Sequence, residues 1–192
     1  MAGVKCTRIL MDEHKTILRA LNVLEAMREK ESRGLLVPRE DVRALLDFFK
    51  FFVDDLHQGK EETILFPALT SACDSAKWAT IHHLIFEHNQ ERSLVEGMQD
   101  ALLTSKGPDF AYYATRFVSL IRNHIYKEDH ILFEITAAAL PDAQDDTIVE
   151  EFNNLDRSLS GVMELGSLLR QLTLLEWNYL GRAAAAGCSR GL

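Results

Sequence analysis

Apolar residues recur at intervals of three or four along most of the chain, with charged residues between them. This spacing is typical of amphipathic helices, and it predicts five helical segments and no strand. Four segments are expected at about Arg8 to Glu31, Pro38 to Phe66, Ser75 to Ser105 and Asp109 to Ala139, and the fifth begins between Asp142 and Asp146. Because the loops between them are short, neighbouring helices should run antiparallel in an up-down bundle.

Proline and glycine mark where these helices should end. Gly34 and the pair Gly107-Pro108 interrupt the pattern, and Pro141 ends the fourth segment. Pro38 suits the first turn of the second helix, where its missing N–H costs little. Pro67 is expected to stop or kink that helix.

The predicted fold class is therefore all-α, an antiparallel up-down four-helix bundle with an additional C-terminal helix. The bundle is assigned to residues 1–141 and the C-terminal helix to residues 142–192. That helix has no counterpart earlier in the chain, so it should either cover one side of the bundle or mediate a homodimer contact. The stretch from Ala183 to Leu192 is expected to be a loose tail.

One segment of the second helix returns in the fourth. Residues 57–66 and 124–133 share His, Lys, Glu, Ile, Leu and Phe at the same relative positions. In each copy a His and a Glu stand four residues apart, on the same face of a helix. Glu13-His14 and Glu87-His88 also correspond, so the bundle is predicted to be one helical hairpin used twice, with approximate two-fold symmetry.

Six residues with metal-ligating side chains fall on the apolar stripes of their helices: His14, His57, Glu61, His88, His124 and Glu128. Two buried carboxylates need a compensating positive charge. Lys60 and Lys127 lie about 100° round the helix from these carboxylates and are expected to face solvent. Bound metal ions would keep the carboxylates ionised and would accept neutral imidazole ligands.

The ligand types indicate the class of metal. Four imidazoles and two carboxylates, without a cysteine, suit iron, manganese or zinc. Two carboxylates can each bridge a pair of ions. Six ligands shared between two ions leave coordination positions open to water, hydroxide or a diatomic gas.

Each feature taken alone is also typical of an ordinary helical core or surface. A single His on an apolar stripe is more often a hydrogen-bonded core residue, and a single His–Glu pair is usually a surface helix pair. Two such pairs with the same apolar continuation, together with one His on each remaining stripe, favour a metal site. His82, His83 and His130 lie off the stripes and are predicted to be surface residues, and Tyr113 is predicted to pack in the core rather than lie beside a metal.

Composition removes several function classes. The 192 residues suffice for one domain, and 47% of them are hydrophobic. The net charge of −8 comes from interspersed acidic and basic residues, which argues against a nucleic-acid partner. The sequence has no apolar stretch long enough for a membrane span. No signal peptide is expected, because Met1 to Leu10 contains no long apolar region. Three widely spaced cysteines, at positions 6, 73 and 188, suit a reduced, cytoplasmic protein.

The order of the six candidate ligands is H…HxxxE…H…HxxxE. The His–Glu pairs stand in LHQGKEETILFPAL and HIYKEDHILF, and the single histidines stand in MDEHKTI and FEHNQER. With these segments the chain resembles the hemerythrin-like, HHE cation-binding family from about residue 8 to 140. The resemblance implies an antiparallel four-helix bundle that holds a non-haem di-iron centre, bridged by two carboxylates and an oxo or hydroxo group. It implies the same six residues as ligands, and reactions with O2, nitric oxide or peroxide.

Two positions differ from the oxygen-carrying members of that family. These carry a fifth His one turn after the His of the third helix, where this chain has Arg92. They also use HxxxxD on the fourth helix, where this chain has HxxxE. The symmetrical four-His set is closer to hemerythrin-like proteins associated with iron handling, nitric oxide, or redox stress and the repair of iron centres.

The resulting functional hypothesis is a non-haem di-iron protein that binds or responds to a small oxidant, or buffers iron. Manganese and zinc are the expected substitutes for iron. A di-iron oxidoreductase, peroxidase-like or related to nitric oxide, would use the same ligands. A third hypothesis is an interaction module in which the metal only staples the bundle. Ferritin-like chemistry is disfavoured because it requires ExxH motifs, which do not stand at matching positions.

Overall fold

The computed structural model describes residues 4–72, 75–104, 106–159 and 164–181, and these residues form six helices and no strand. The helices are α1 (Lys5–Ser32), α2 (39–72), α3 (Ser75–Thr104), α4 (107–139), α5 (Asp142–Leu159) and α6 (Leu165–Leu180). Helices α1 to α4 make the predicted antiparallel four-helix bundle, which confirms the fold class.

The first loop depends on one glycine. Gly34 follows α1 with φ of +71°, a conformation that residues with a Cβ rarely adopt. Its N–H donates to the Glu31 carbonyl at 2.9 Å, and the Leu35 N–H donates to the Lys30 carbonyl at 3.0 Å. These bonds satisfy carbonyls at the end of α1 and turn the chain toward α2.

Two of the long helices contain π-helical turns. In α2 these are Phe49–Gln58 and Glu61–Leu65, and in α4 the turn is Glu128–Leu132. The Phe66 N–H donates to the Glu61 carbonyl, and the Phe133 N–H donates to the Glu128 carbonyl. Each of these hydrogen bonds joins residues five apart instead of four apart. A wider, π-helical turn therefore begins at each of the two glutamates.

Of the two outcomes expected at Pro67, a stop or a kink, the stop is wrong, because the helix continues through Phe66–Ala72. Proline normally interrupts a helix by removing an N–H and by clashing with the carbonyl four residues earlier. Here the π-helical turn Glu61–Leu65 comes immediately before the proline. The wider turn displaces the carbonyls that a regular α-helix would place against the ring.

Two apolar clusters lie on either side of the level of the bundle that holds the candidate ligands. The larger extends over Ile17 to Met27 of α1, Val42 to Leu56 of α2, Val95 to Ala101 of α3 and Phe110 to Ile125 of α4. The smaller includes Cys6, Leu10, Leu65, Phe66, Leu69, Ile81, Leu84, Leu132, Phe133, Leu140, Ile148 and Phe152. The polar side chains between the clusters are therefore shielded from water at both ends.

The segment after the bundle forms two helices where one was predicted. The first helix ends at Leu159, and Glu164, with an extended backbone at φ −73° and ψ 107°, directly precedes α6. Both helices pack against α1 and α2. Arg19 of α1 donates to both carboxylate oxygens of Glu176 in α6, at 2.8 and 2.6 Å. The domain boundary at residue 141 and the homodimer stay predictions.

Several expectations concern residues outside the described ranges. These are the loose tail from Ala183 to Leu192 and the environments of Cys73 and Cys188. Cys6 is described and lies buried in the smaller apolar cluster. Among the described residues, no helix combines the length and the apolar character that a membrane span requires.

Candidate metal centre

The structure brings all six predicted ligand residues together at one level of the bundle. Helices α1 and α3 contribute one imidazole each, and α2 and α4 contribute one imidazole and one carboxylate each. No side chain of this set is more than 3% exposed. The six form two groups that share both carboxylates: His14, His57, Glu61 and Glu128 in one, and Glu61, His88, His124 and Glu128 in the other. Within a group, one potential ligand atom from each residue lies within 4.8 Å of the others.

The two groups have nearly the same geometry. In the first, His14 Nε2 lies 3.1 Å from His57 Nε2 and 3.2 Å from Glu128 Oε2. In the second, His88 Nε2 lies 3.0 Å from His124 Nε2 and 3.4 Å from Glu61 Oε2. The two-fold symmetry predicted from the sequence repeat therefore holds at the level of single atoms.

The Nδ1 atom of every imidazole in the centre lies within hydrogen-bond distance of a carboxylate. His14 Nδ1 lies 2.8 Å from Asp129, His57 Nδ1 2.9 Å from Glu13, His88 Nδ1 2.7 Å from Glu62, and His124 Nδ1 2.9 Å from Glu87. An acid at Nδ1 keeps a proton there, so in the neutral ring Nε2 carries a lone pair. Two such lone pairs face each other in each group, about 3 Å apart.

The carboxylates give an independent test of whether cations fit. All four side-chain oxygens of Glu61 and Glu128 are buried, and none accepts a hydrogen bond from a described residue. The nearest imidazole nitrogens, at 3.2 to 3.7 Å, do not have hydrogen-bond geometry toward them. Buried carboxylates without hydrogen-bond donors are strongly destabilised unless a cation lies between them. The donor set therefore fits a pair of metal ions.

The four outer acids were missed by the sequence analysis, although the repeat marks them. Glu13 and Glu87 each precede the single His of α1 and α3, and Glu62 and Asp129 each follow the carboxylate of α2 and α4. Each acid reaches an imidazole of a different helix. Sequence spacing within one helix does not show such contacts, but the equivalent positions in both repeats were a usable signal.

The expectation that Lys60 faces solvent is wrong. Its side chain is 1% exposed, and its ammonium pairs with Glu13 and, at 2.8 Å, with Asp156 of α5. Lys127, at the equivalent position, pairs with Glu87 and is only half-buried. Neither lysine neutralises Glu61 or Glu128, because each is directed to an outer acid. Lys60 is more deeply buried because α5 covers this side of the bundle.

The aromatic residue of each repeat packs on an imidazole of the centre. The Phe133 ring stacks on His14 with centroids 5.7 Å apart, and the Phe66 ring stacks on His88 at 6.0 Å. The wide turn that begins at each carboxylate carries this phenylalanine at its end. The apolar continuation of the motif thus orients one imidazole and closes the centre on the side of the smaller cluster.

Burial and charge pull the pKa values of the two carboxyl groups apart in the protein without cations. Burial raises the pKa of Glu61 well above its ordinary value, and the charge of Glu128 raises it further. Burial acts the same way on Glu128, but the interactions with His124 and His14 outweigh it and hold that pKa well below its ordinary value. Burial lowers the pKa of His57 to about 4, which leaves that ring neutral and able to ligate. Two adjacent carboxyl groups cannot both ionise easily without a cation.

The remaining histidines and Tyr113 lie where the sequence predicted. His82, His83 and His130 are exposed, and none belongs to the two ligand groups. Tyr113 packs against the larger apolar cluster. Its ring lies against Gly97, where a Cβ would come 2.7 Å from a ring carbon.

The hydrogen bonds of Arg92 go to residues other than the six of the centre. Its guanidinium donates to Asp54 at 2.6 Å and to Glu62 at 2.7 Å, and Glu62 in turn holds His88. The side chain that stands where oxygen carriers have a fifth His therefore supports an existing ligand through an outer acid.

Comparison with known families agrees with this geometry. The family model described as the hemerythrin HHE cation binding domain matches residues 7–136, which is more than half of the chain and includes all six residues of the centre. The comparison with curated proteins gives no match, and neither does the comparison with solved structures.

Proposed function

We propose, since this chain belongs to the hemerythrin HHE cation-binding family, that it holds two metal ions between α1, α2, α3 and α4. His14 and His57 would hold one ion, and His88 and His124 would hold the other. Glu61 and Glu128 would be shared between the two ions. We propose that the metal in the cell is iron, and that the protein binds or responds to a small oxidant or buffers iron.

One observation carries this proposal: four buried carboxylate oxygens without hydrogen-bond donors lie beside four imidazole rings, and an acid holds the Nδ1 of each ring. A structural core would satisfy such oxygens with N–H or O–H donors. Cations are the groups that both kinds of atom can bind at once.

Mixed imidazole and carboxylate ligands without thiolate support iron over softer metals, with manganese and zinc as substitutes. When bound, a pair of iron ions supplies one-electron redox steps and open coordination positions for an exogenous molecule. The ligand count supports open positions, because six residues serve two ions.

The chain's own residues prepare the centre for this role. The outer acids hold a proton on each Nδ1, which fixes the ring orientation and makes Nε2 a better donor to a metal. Phe66 and Phe133 exclude water from one side. Both features preorganise the ligands, so that little rearrangement is needed on metal binding.

The test is elemental analysis with optical spectroscopy of the purified protein, before and after azide is added. The proposal expects about two irons per chain and visible absorption bands that azide shifts. Glu61→Ala and Glu128→Ala should each lower the iron content. A wild-type protein that binds no iron under any loading condition would contradict the proposal.

His130→Ala is the matched control for ligand substitutions. His130 is exposed, hydrogen-bonds the Tyr126 carbonyl of its own helix at 2.9 Å, and lies two residues after Glu128. Its loss should leave both the iron content and the azide response unchanged. His124→Ala removes an imidazole from the same helix and should reduce both.

A further inference from the structure

A cavity of about 240 Å³ opens between α2, α3 and α4, beside one half of the centre. Its walls include Phe49, Val53, Val95 and Phe117, and its polar lining includes Gln58 and Glu91. The volume is sufficient for a small molecule, since a single water occupies about 30 Å³.

Gln58 and Glu91 are buried polar residues whose hydrogen-bonding capacity is only partly used. They are 1% and 2% exposed, and the Gln58 amide donates to Glu91 Oε2. Gln58 Oε1 and Glu91 Oε1 accept no hydrogen bond from the described residues. Two buried acceptors without donors, both on residues that line a cavity, indicate a ligand that brings its own donors.

The position of this pair relates it to the centre. Glu91 lies one turn after His88 in α3, and its Oε1 is 3.9 Å from His124 Nδ1. Gln58 directly follows His57. A molecule bound by the two acceptors would therefore lie beside the imidazoles of the second group.

The internal repeat shows that the pair is not required by the bundle. The position equivalent to Gln58 in the other half is Ile125, and the position equivalent to Glu91 is Ile17. Both isoleucines are buried in the larger apolar cluster. The same backbone frame thus accommodates an apolar pair, and only one half carries acceptors that open onto a cavity.

We propose that this cavity is a recognition site for a small molecule with O–H donors, and that hydrogen peroxide is its ligand. Peroxide carries two O–H groups, which match the two acceptors. Nitric oxide and O2 carry none, so the cavity offers them no specific hydrogen bond. This inference rests on the proposed metal function, to which it adds the class of oxidant and the side from which it approaches.

The test compares peroxide with nitric oxide in iron-loaded protein carrying both Gln58→Ile and Glu91→Ile, which copies the other half. Stopped-flow absorption follows oxidation of the reduced protein by peroxide, which takes up two electrons and two protons and becomes two waters. The double variant should slow this reaction about tenfold, as expected for the loss of two hydrogen bonds. The rate of nitric oxide binding should change less than about twofold, because nitric oxide makes neither bond.

Gln99→Ile is the matched control, since it makes the same chemical change in the lining of the same cavity, away from the buried pair. It should leave the ratio of the peroxide rate to the nitric oxide rate unchanged, because it removes neither of the two buried acceptors. An unchanged peroxide rate in the double variant would overturn the inference. Equal slowing of peroxide and nitric oxide would also overturn it, because the cavity would then be a passage without recognition.

Crystals of the zinc-loaded protein soaked in peroxide give a readout that does not depend on reactivity. Elongated density for two bonded oxygens, hydrogen-bonded to both Gln58 Oε1 and Glu91 Oε1, is expected in soaked wild-type crystals and not in unsoaked crystals or in the double variant. Density for a single water in the soaked wild type would overturn the inference. Oxygens satisfied by protein donors instead would overturn the inference. Failure of the proposed metal function would appear separately, as wild-type protein without iron, and this crystallographic result would still decide the role of the cavity.

Discussion

The protonation of single residues determines how strongly this centre can hold cations. Burial and the charge of Glu128 raise the pKa of Glu61 well above its ordinary value. Burial lowers the pKa of His124, but the charges of Glu128 and Glu91 outweigh it and raise that pKa well above its ordinary value. Without metal, the raised pKa values therefore favour the protonated form of both groups, and that proton must leave before either group can bind a cation.

Metal affinity is predicted to fall as the pH is lowered, because protons and cations compete for the same atoms. Each proton released on binding makes the affinity fall about tenfold per pH unit. The sign follows from the raised pKa values of Glu61 and His124, because the proton that a raised pKa favours must be displaced when a cation binds. Competition with a chelator between about pH 6 and pH 8 measures this dependence. An affinity that is constant over that range would contradict the prediction.

At the scale of helices, two glycines in similar positions along the chain differ in how closely other side chains pack against them. Gly59 and Gly97 both lie inside long helices. A Cβ at Gly59 would meet Leu155 at an ordinary 3.6 Å, whereas a Cβ at Gly97 would collide with the Tyr113 ring. Of these two glycines, Gly97 is the one at which a side chain would not fit.

Gly97→Ala is predicted to destabilise the protein by about 1–3 kcal/mol, because the ring of Tyr113 must move. Gly59→Ala is the matched change at an open position, and it should stabilise by about 0.5–1 kcal/mol through helix propensity. Chemical denaturation of both variants measures the free energies of unfolding. Equal effects of the two substitutions would show that the contact with Tyr113 is unimportant.

The buried lysine of α2 ties the C-terminal helix α5 to the centre. Lys60 joins Asp156 of α5 to Glu13, which holds the Nδ1 of His57. Lys60→Met is predicted to lower the free energy of unfolding by about 3 kcal/mol, because Glu13 and Asp156 each lose an ion pair with a buried ammonium group.

Lys127→Met is the matched substitution in the other repeat. Lys127 is half-buried. Among the described residues, Glu87 is the one acid with which it forms an ion pair. Its loss should cost about 1 kcal/mol or less, since water can replace much of the contact. Thermal and chemical denaturation of both variants test this order, and a larger effect for Lys127→Met would contradict it.

At the scale of the whole molecule, the centre joins all four helices of the bundle between two apolar clusters. Without cations, this level of the protein carries adjacent carboxyl groups and pairs of imidazole rings whose Nε2 atoms lie about 3 Å apart. The stability of the fold should therefore be linked to the occupancy of the centre.

Removal of metal with a chelator is predicted to lower the melting temperature, and reconstitution should restore it. Ligand binding at about one hundred times the dissociation constant stabilises a fold by about 2.7 kcal/mol per site. Differential scanning calorimetry at several metal concentrations measures the shift. His130→Ala should show the same shift as the wild type, and a metal-free protein with unchanged stability would argue against cations at this centre.

The sequence by itself was sufficient for the four helices of the bundle and for the six inward residues. Helical periodicity follows from which side chains must avoid water, and a repeated His–Glu motif on apolar stripes is typical of a metal site. The same repeat was enough to predict the two-fold arrangement of Glu61 and Glu128. These properties are local to a helix or shared between two helices, so they are visible along the chain.

Only the tertiary structure decided the features that depend on contacts between helices. Lys60 is buried because α5 covers it, and no spacing within α2 contains that information. The acids behind the imidazoles act across helix pairs, and Pro67 is tolerated because a wider turn begins at Glu61. The cavity beside Glu91 arises where three helices meet, so its shape depends on packing that no single segment specifies.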